Sequence, residues 1–352
     1  MSTQNFPTYA KFAFIAIGVT LVIVAMTYAR TLLLPLSWAV LFSLLILPIQ
    51  KKLERWLRYR VLATFGSVII LTIIIGGVIF LLSSQIGNLL NDMPVLMRKL
   101  NNHLEDLRQF IDSHLGIPYK EQPSEFFNRI SGFLQDSVSS IGIALSNTVK
   151  TIVFLGMLPV YTFFILLYRN RIKQFFQLLY QNEHRDAVLH TVWKSTNVVQ
   201  QYLTGMVVVT SVVAVLVYLL FTILGVKHAI FFAIFLAVFN LIPFVGVFIA
   251  SLVSILYVMI TKDGLFYPII TLACLWGIQI LENNIITPLI VGRHVQLNPL
   301  AVLVAIVLGG IIWGVSGMIL FIPLLGGLKV ILDNNPSSRP YGFLLGDDPA
   351  EN

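Results

Sequence analysis

Long apolar runs separated by short polar stretches set the hydrophobic pattern of this chain. Each run is long enough for a helix through a hydrocarbon core about 30 Å thick; they cover residues 12–29, 31–49, 61–82, 151–168, 205–224 and 265–281. Backbone polar groups in lipid must be satisfied within the segment, which favours helices. The pattern therefore predicts an all-α, polytopic membrane protein with about seven or eight membrane segments.

Residues 85–150 form the one large polar insertion, and they carry helical periodicity. Apolar side chains repeat in steps of four and three from Ile86 to Ile111, which is a heptad seam. A second periodic stretch follows at 127–149. We expect a helical hairpin packed on itself or on a neighbouring subunit, and Pro94 predicts that its first arm consists of two helices.

Two C-terminal apolar segments are too long for one membrane crossing and too short for two. A single helix over 229–260 would run about 48 Å, and one over 299–332 would be longer still. Asn240, Pro243 and Gly246 provide a break in the first segment. The second segment starts with an N-cap and an initial proline and holds several breakers: Asn298, Pro299, Gly310, Gly314, Gly317 and Pro323.

This pairing of lengths and breakers predicts two broken, re-entrant helical hairpins. Paired interrupted segments of this kind indicate the site of a secondary transporter, because non-helical backbone at membrane depth survives only inside protein or beside a cavity.

A polar stripe lies between the two segments. Gln279, Glu282 and Asn283 follow the i, i+3, i+4 spacing that places side chains on one helical face. Pro288 lacks the amide hydrogen that would bond the carbonyl of Asn284, so free backbone acceptors are expected there. Ionisable groups at membrane depth usually serve function. The stripe therefore predicts a site for an ion or polar solute, continued by Gly292 and Arg293.

Structural roles are the alternative for several of these residues. Gly310 and Gly314 could serve only to let helices approach closely. Asn240 and Pro243 could form a simple kink. Glu282 could be a neutral core acid or the ion-pair partner of Arg293.

Charge patterning predicts the topology. Lysine and arginine are in excess in the loop 50–60 and in the stretch 169–203, so both are predicted to be cytoplasmic, as is the N-terminus, with 85–150 on the outside. The stretch 172–203 is amphipathic, either along the inner membrane surface or as a solvated connector. Consecutive regions follow from this pattern: 1–84, 85–150, 151–204, 205–333 and a flexible tail at 334–352.

Composition supports the membrane assignment and narrows the function. The chain is 57% hydrophobic and only 11% charged, with a mean hydropathy of +0.87. Soluble domains carry about 25% charged residues. The net charge of +7 follows the membrane topology, so no nucleic-acid partner is expected.

The sequence gives no reason to expect an enzyme, a cofactor or a metal. One cysteine, Cys274, allows no disulfide framework and no Cys/His cluster. The segment Gly314-Val-Ser316-Gly317-Met318 lacks the last glycine of a serine-nucleophile motif. No phosphate-binding loop is present, so we expect no direct use of ATP.

The C-terminal motifs resemble the autoinducer-2 exporter family of bacterial membrane proteins. The resemblance rests on the segment from Asn240 to Gly246, on Glu282-x-Asn284-x-x-x-Pro288-x-x-x-Gly292-Arg293-x-x-x-Leu297-x-Pro299, and on the glycines from Gly309 to Gly317 followed by Pro323. It implies an oligomeric transport protein of the inner membrane, with autoinducer-2 export in some members and sodium/proton exchange in others.

The sequence thus predicts a secondary transporter or exporter of a small polar solute, autoinducer-2-like by resemblance. Its expected partners are the lipid bilayer, other copies of the chain, the solute and H⁺ or Na⁺. A sodium/proton antiporter and a non-transporting oligomeric scaffold are the alternatives, and solute flux in reconstituted vesicles distinguishes the scaffold from a carrier.

Overall fold

The computed structural model describes residues 8–115, 132, 148–179, 185–292 and 297–347. These residues form helices joined by short turns, and no β-strand occurs among them. The helices are α1 (Thr8–Tyr28), α2 (Arg30–Leu57), α3 (Arg60–Leu115), α4 (Thr148–Leu167), α5 (Arg169–Leu179), α6 (Arg185–Ile223), α7 (Ala229–Phe239), α8 (Val245–Thr261), α9 (Phe266–Leu281), α10 (Thr287–Ile290), α11 (Pro299–Trp313), α12 (Val315–Asp333) and α13 (Arg339–Leu345). A π-helical turn, Glu282–Ile286, joins α9 to α10.

The long helices have the length and composition of membrane spans. Within the described parts of the chain, five stretches meet both criteria: Arg30–Leu57, Arg60–Leu89, Asp186–Ile223, Phe266–Ile290 and Val315–Asp333. Large apolar side chains stay exposed along them, such as Ile73 at 67% and Phe80 at 71%. Such surfaces suit lipid rather than water. The prediction of an all-α, polytopic membrane protein is confirmed.

Both long C-terminal segments are broken, as predicted. The first is divided into α7 and α8 around residues 240–244. The ring of Phe232 in α7 lies 4.7 Å from that of Tyr257 in α8, so α8 runs back along α7. The second is divided into α11 and α12 at Gly314, which has a φ of 63°.

The helices form two compact units, each built from separated stretches of chain. The first unit combines Met1–Ile69, Gly156–Thr204 and Arg293–Asn352, and the second combines Ile70–Leu155 and Gly205–Gly292. Leu41, Val199 and Leu320 lie in the core of the first unit. The predicted region 205–333 therefore contributes to both units.

The basic loop predicted at 50–60 is mostly helix. α2 continues to Leu57, and the turn is confined to Arg58 and Tyr59, where Arg58 adopts a left-handed φ of 59° and donates its N–H to the Glu54 carbonyl. An ion pair holds this end of α2, with Arg169 Nη2 2.6 Å from Glu54 Oε2. Charged side chains at a helix end reach water without unwinding the backbone, so charge alone did not mark the boundary.

The break predicted at Pro94 is absent, because α3 is one helix from Arg60 to Leu115. Ile86, Leu89 and Leu96 are all buried, on both sides of the proline. Their packing offsets the hydrogen bond that Pro94 cannot make. The second arm of the predicted hairpin lies mainly outside the described residues.

Two further parts of the chain differ from the sequence prediction. The stretch 172–203 and the span 205–224 were predicted as separate elements, but α6 runs without interruption from Arg185 to Ile223. The tail at 334–352 was predicted to be flexible, yet α13 forms at Arg339–Leu345. Asn298 binds this helix through two hydrogen bonds from its Nδ2, to the Leu344 and Gly346 carbonyls.

Candidate functional site

The break between α7 and α8 is shaped by a proline and a glycine. Asn240 ends α7, and Phe244 adopts a left-handed φ of 62° just before α8 begins. Gly246 is buried, and a Cβ placed there would collide with the carbonyl oxygen of Phe239. Only glycine lets the chain turn this closely. The turn places the buried Asn240 side chain against the π-helical turn that follows α9.

A π-helical turn carries the acidic residue of the polar stripe. Glu282–Ile286 bonds in the wide i, i+5 pattern, with the Thr287 amide donating to the Glu282 carbonyl. Pro288 follows at the start of α10, and the proline widens the helix here instead of ending it. Turns of this type are rare and occur often at functional sites.

Glu282 is buried, with 6% of its surface exposed, and both carboxylate oxygens accept a hydrogen bond. Asn240 Nδ2 donates to Oε1 at 2.7 Å, and Gln279 Nε2 donates to Oε2 at 3.1 Å. Gln279 also reaches Asn283 Oδ1 at 3.2 Å. Among the described residues no lysine or arginine pairs with Glu282. The structure thus joins the break of the hairpin to the polar stripe through a carboxylate held by amides.

Among the described residues, the other predicted site residues make no side-chain hydrogen bond to the Glu282 carboxylate. Pro243 and Gly246 shape the turn. Asn284 turns away, with its Nδ2 donating to the Ile280 carbonyl at 2.9 Å. Pro288 and Gly292 are exposed, and Gly292 has a φ of 62° where the helix ends. Arg293 lies outside the described residues, and so does its predicted pairing with Glu282.

Thr271 is a polar residue that the sequence analysis missed. It is fully buried, and its hydroxyl has no hydrogen-bond partner among the residues that the structure describes. It precedes Glu282 by three helical turns on the same face of α9, about 16 Å along the axis. The sequence spacing between Thr271 and Glu282 could have identified it, because three turns of a helix return a side chain to the same face.

The second hairpin is a close-packing motif within the first unit. Gly309 and Gly317 face each other so closely that a Cβ on either would collide with the backbone of the other. A Cβ on Gly310 would meet Met318, and Gly314 forms the turn. These contacts favour the packing interpretation of the glycines.

The remaining residues of that hairpin start and stabilise its helices. Asn298 caps α11, with its Oδ1 accepting from the Ala301 amide at 2.7 Å, and Pro299 is the first helical residue. Pro323 is buried inside α12. No group of three potential metal ligands occurs among the residues that the structure describes.

Known proteins with similar sequences are named as transport proteins or putative transport proteins. A sequence model described as AI-2E family transporter matches residues 12–337. The chain is 24% identical over 321 residues to the putative transport protein YrrI of Bacillus subtilis, covering 86% of each chain. It is 23% identical over 340 residues to the AI-2 transport protein TqsA of Escherichia coli, covering 95% of each. Since the family match spans nearly the whole chain, this protein belongs to the AI-2E transporter family.

Proposed function

We propose that the protein is a secondary transporter of a small polar solute in the bacterial cytoplasmic membrane, and that Glu282 couples transport to an ion gradient. The observation that carries the proposal is the buried carboxylate of Glu282, which is held by the amides of Asn240 and Gln279 and by no basic residue among those described. Such a carboxylate can take up a proton or bind a cation. The fraction of Glu282 that carries a proton or cation would therefore depend on the gradient of that ion.

Because of the position of Asn240, binding of a proton or cation to Glu282 would affect the α7–α8 hairpin. Asn240 is the last residue before the break of the α7–α8 hairpin. A proton or cation on Glu282 would compete with the hydrogen bond that Asn240 donates to Oε1. Loss of that bond would free the end of α7, and the hairpin could then move with respect to α9 within the second unit.

Autoinducer-2 is the first solute to test, with export as the direction. The name of the Escherichia coli relative supports the solute, and the family resemblance supports export and an oligomeric assembly. A role in quorum sensing would follow from that solute. Nothing in the site requires catalysis, and the protein would act as a carrier rather than an enzyme.

Exchange of sodium for protons is the second candidate. The site provides a carboxylate together with the amide oxygens of Asn240 and Gln279, and oxygen ligands suit small hard cations. Each amide could turn its oxygen toward a bound cation.

The test is Glu282→Gln, which keeps the shape of the side chain and one acceptor oxygen but removes its charge. Wild type and variant are reconstituted in vesicles with imposed proton or sodium gradients, and autoinducer-2 flux and gradient-driven exchange of each cation are measured per assembled oligomer. We expect the variant to assemble normally and to lose gradient-driven movement.

Glu54→Gln is the matched control, because it makes the same chemical change at the carboxylate that pairs with Arg169 in the first unit. It should keep gradient-driven flux. Undiminished coupled flux in Glu282→Gln would show that this carboxylate is not the coupling group. Absence of flux for the solute and for both cations in the wild type would favour the scaffold.

A further inference from the structure

The part of α3 beyond its apolar span contacts both open ends of the α7–α8 hairpin. Asp92 Oδ2 lies 2.5 Å from Lys227 Nζ and 2.9 Å from His228 Nε2, and His228 immediately precedes α7. Two turns further along α3, Lys99 Nζ donates to the carbonyl of Thr261 at 3.4 Å. Thr261 is the last residue of α8. These five residues, all in the second unit, are called here the α3 clasp.

The charges of the clasp match the ends of the helices that they contact. Asp92 is an anion at the N-terminus of α7, and Lys99 is a cation at the C-terminus of α8. Each charge is favourable at its helix end because of the helix dipole. Their seven-residue spacing places both on one face of α3, with the buried Leu96 between them.

His228 is held in a strained conformation by its surroundings. Its φ is 66°, in the left-handed region that few non-glycine residues adopt. Its side chain is 7% exposed, and its ring packs edge-on against Tyr257 of α8 with 6.3 Å between centroids. Such a residue persists where neighbouring contacts determine its position.

The Asp92 carboxyl keeps its charge in this setting. Hydrogen bonds from Lys227 and His228 lower its pKa below the ordinary value of 3.8. The anion that the clasp needs is therefore present throughout the neutral range.

We propose that the α3 clasp fixes the base of the α7–α8 hairpin and so positions Asn240 against Glu282 at the other end of α7. The two ends of α7 are only about 16 Å apart, and a helix this short transmits displacement as a rigid rod. The inference rests on the proposed role of Glu282 where it concerns transport. Asp92 and Lys99 are positioning residues in this scheme and do not touch solute or ion.

Backbone hydrogen exchange of the full chain in lipid nanodiscs tests the clasp without reference to transport. Asp92→Asn should speed exchange in α7 roughly two- to fivefold, the range expected for loss of a partly exposed ion pair. Lys99→Met should instead speed exchange in the last turn of α8.

Asp333→Asn is the matched control. It removes a carboxylate that lies 2.6 Å from the lysine of its own ion pair, Lys329, in α12 of the first unit. Exchange in α7 should be unchanged in this variant. Unchanged α7 exchange in Asp92→Asn would overturn the clasp.

Flux separates positioning from general destabilisation. With autoinducer-2 as the probe and the gradients above, Asp92→Asn should lower coupled flux in the wild-type background and have no further effect in an Asn240→Ala background, because both act on the same contact. Additive losses would overturn the positioning role. Normal coupled flux in Glu282→Gln would reject Glu282 as the coupling group without affecting the hydrogen-exchange result. Failure of the proposed function can therefore be distinguished from failure of the clasp.

Discussion

At the scale of single residues, two amides determine the environment of Glu282. The contact with Gln279 follows from i, i+3 spacing and was predictable from the sequence. The contact with Asn240 joins residues 42 positions apart, and it depends on how the hairpin packs against α9. The sequence identified Asn240 and Glu282 as polar residues in apolar surroundings, but only the folded structure shows that they are paired.

Asn284 shows the limit of reasoning from backbone chemistry alone. It was included in the predicted site because Pro288 cannot donate a hydrogen bond to its carbonyl. Its side chain follows that of Glu282 by two residues, which places it on another face of the helix. The Asn284 amide accordingly donates to the Ile280 carbonyl. A proline can break, kink or widen a helix, and the sequence around Pro288 does not distinguish these outcomes.

Gly246→Ala should destabilise the protein by roughly 2–4 kcal/mol, because its new Cβ would meet backbone atoms of Phe239 that cannot move independently. Thermal unfolding in detergent is the measurement. Gly277→Ala in α9 is the control. Apart from its own stretch of helix, no described part of the chain lies within 4 Å of its Cβ position, so this variant should be unchanged or up to about 1 kcal/mol more stable. Equal effects at the two positions would contradict the close approach seen at the break.

At the scale of elements, the lengths of the apolar segments predicted the helices better than individual helix-breaking residues did. The two hairpins were predictable because hydrocarbon thickness limits the length of a crossing helix. Pro94 was misleading because tertiary packing outweighed a local preference, with Ile86, Leu89 and Leu96 buried along the same helix. The end of α2 was misplaced because the basic side chains lie on helix and not on loop.

Pro94→Ala should strengthen α3, since the new amide can donate to the Leu90 carbonyl. We expect slower hydrogen exchange at residues 91–98 and a gain of roughly 1–3 kcal/mol in stability, because an interior proline costs about 3 kcal/mol or more. Val95→Ala serves as the control, because Val95 is 47% exposed and its substitution adds no hydrogen bond. Faster exchange in Pro94→Ala would mean that the proline is required for the shape of α3.

At the scale of the whole molecule, the first unit supports the predicted topology. Arg169, at the start of α5, pairs with Glu54 near the end of α2 and also donates to Gln50. This contact brings together residues from both basic stretches that the sequence assigned to the cytoplasm. Both stretches are therefore expected on one side of the membrane.

Single cysteines in a Cys274→Ser background test that topology in intact cells. The substitutions Arg55→Cys, Asp186→Cys and Asn102→Cys all replace exposed residues. An impermeant thiol reagent added outside should label position 102 and leave positions 55 and 186 unlabelled until the cells are opened. Labelling of position 55 in intact cells would reverse the predicted orientation.

The discontinuity of the two units has a consequence for biogenesis. The first unit needs Met1–Ile69 and Gly156–Thr204 together with residues after 292, whereas the stretches of the second unit are all synthesised by Gly292. During translation, α1 and α2 are therefore inserted in the bilayer before α11 and α12 have been synthesised, whereas the second unit can already assemble. Trp313 reaches back to the Met26 carbonyl at 3.0 Å, and this contact can form only near the end of translation. Lipid, or an insertion chaperone, must cover that face of the nascent chain until then.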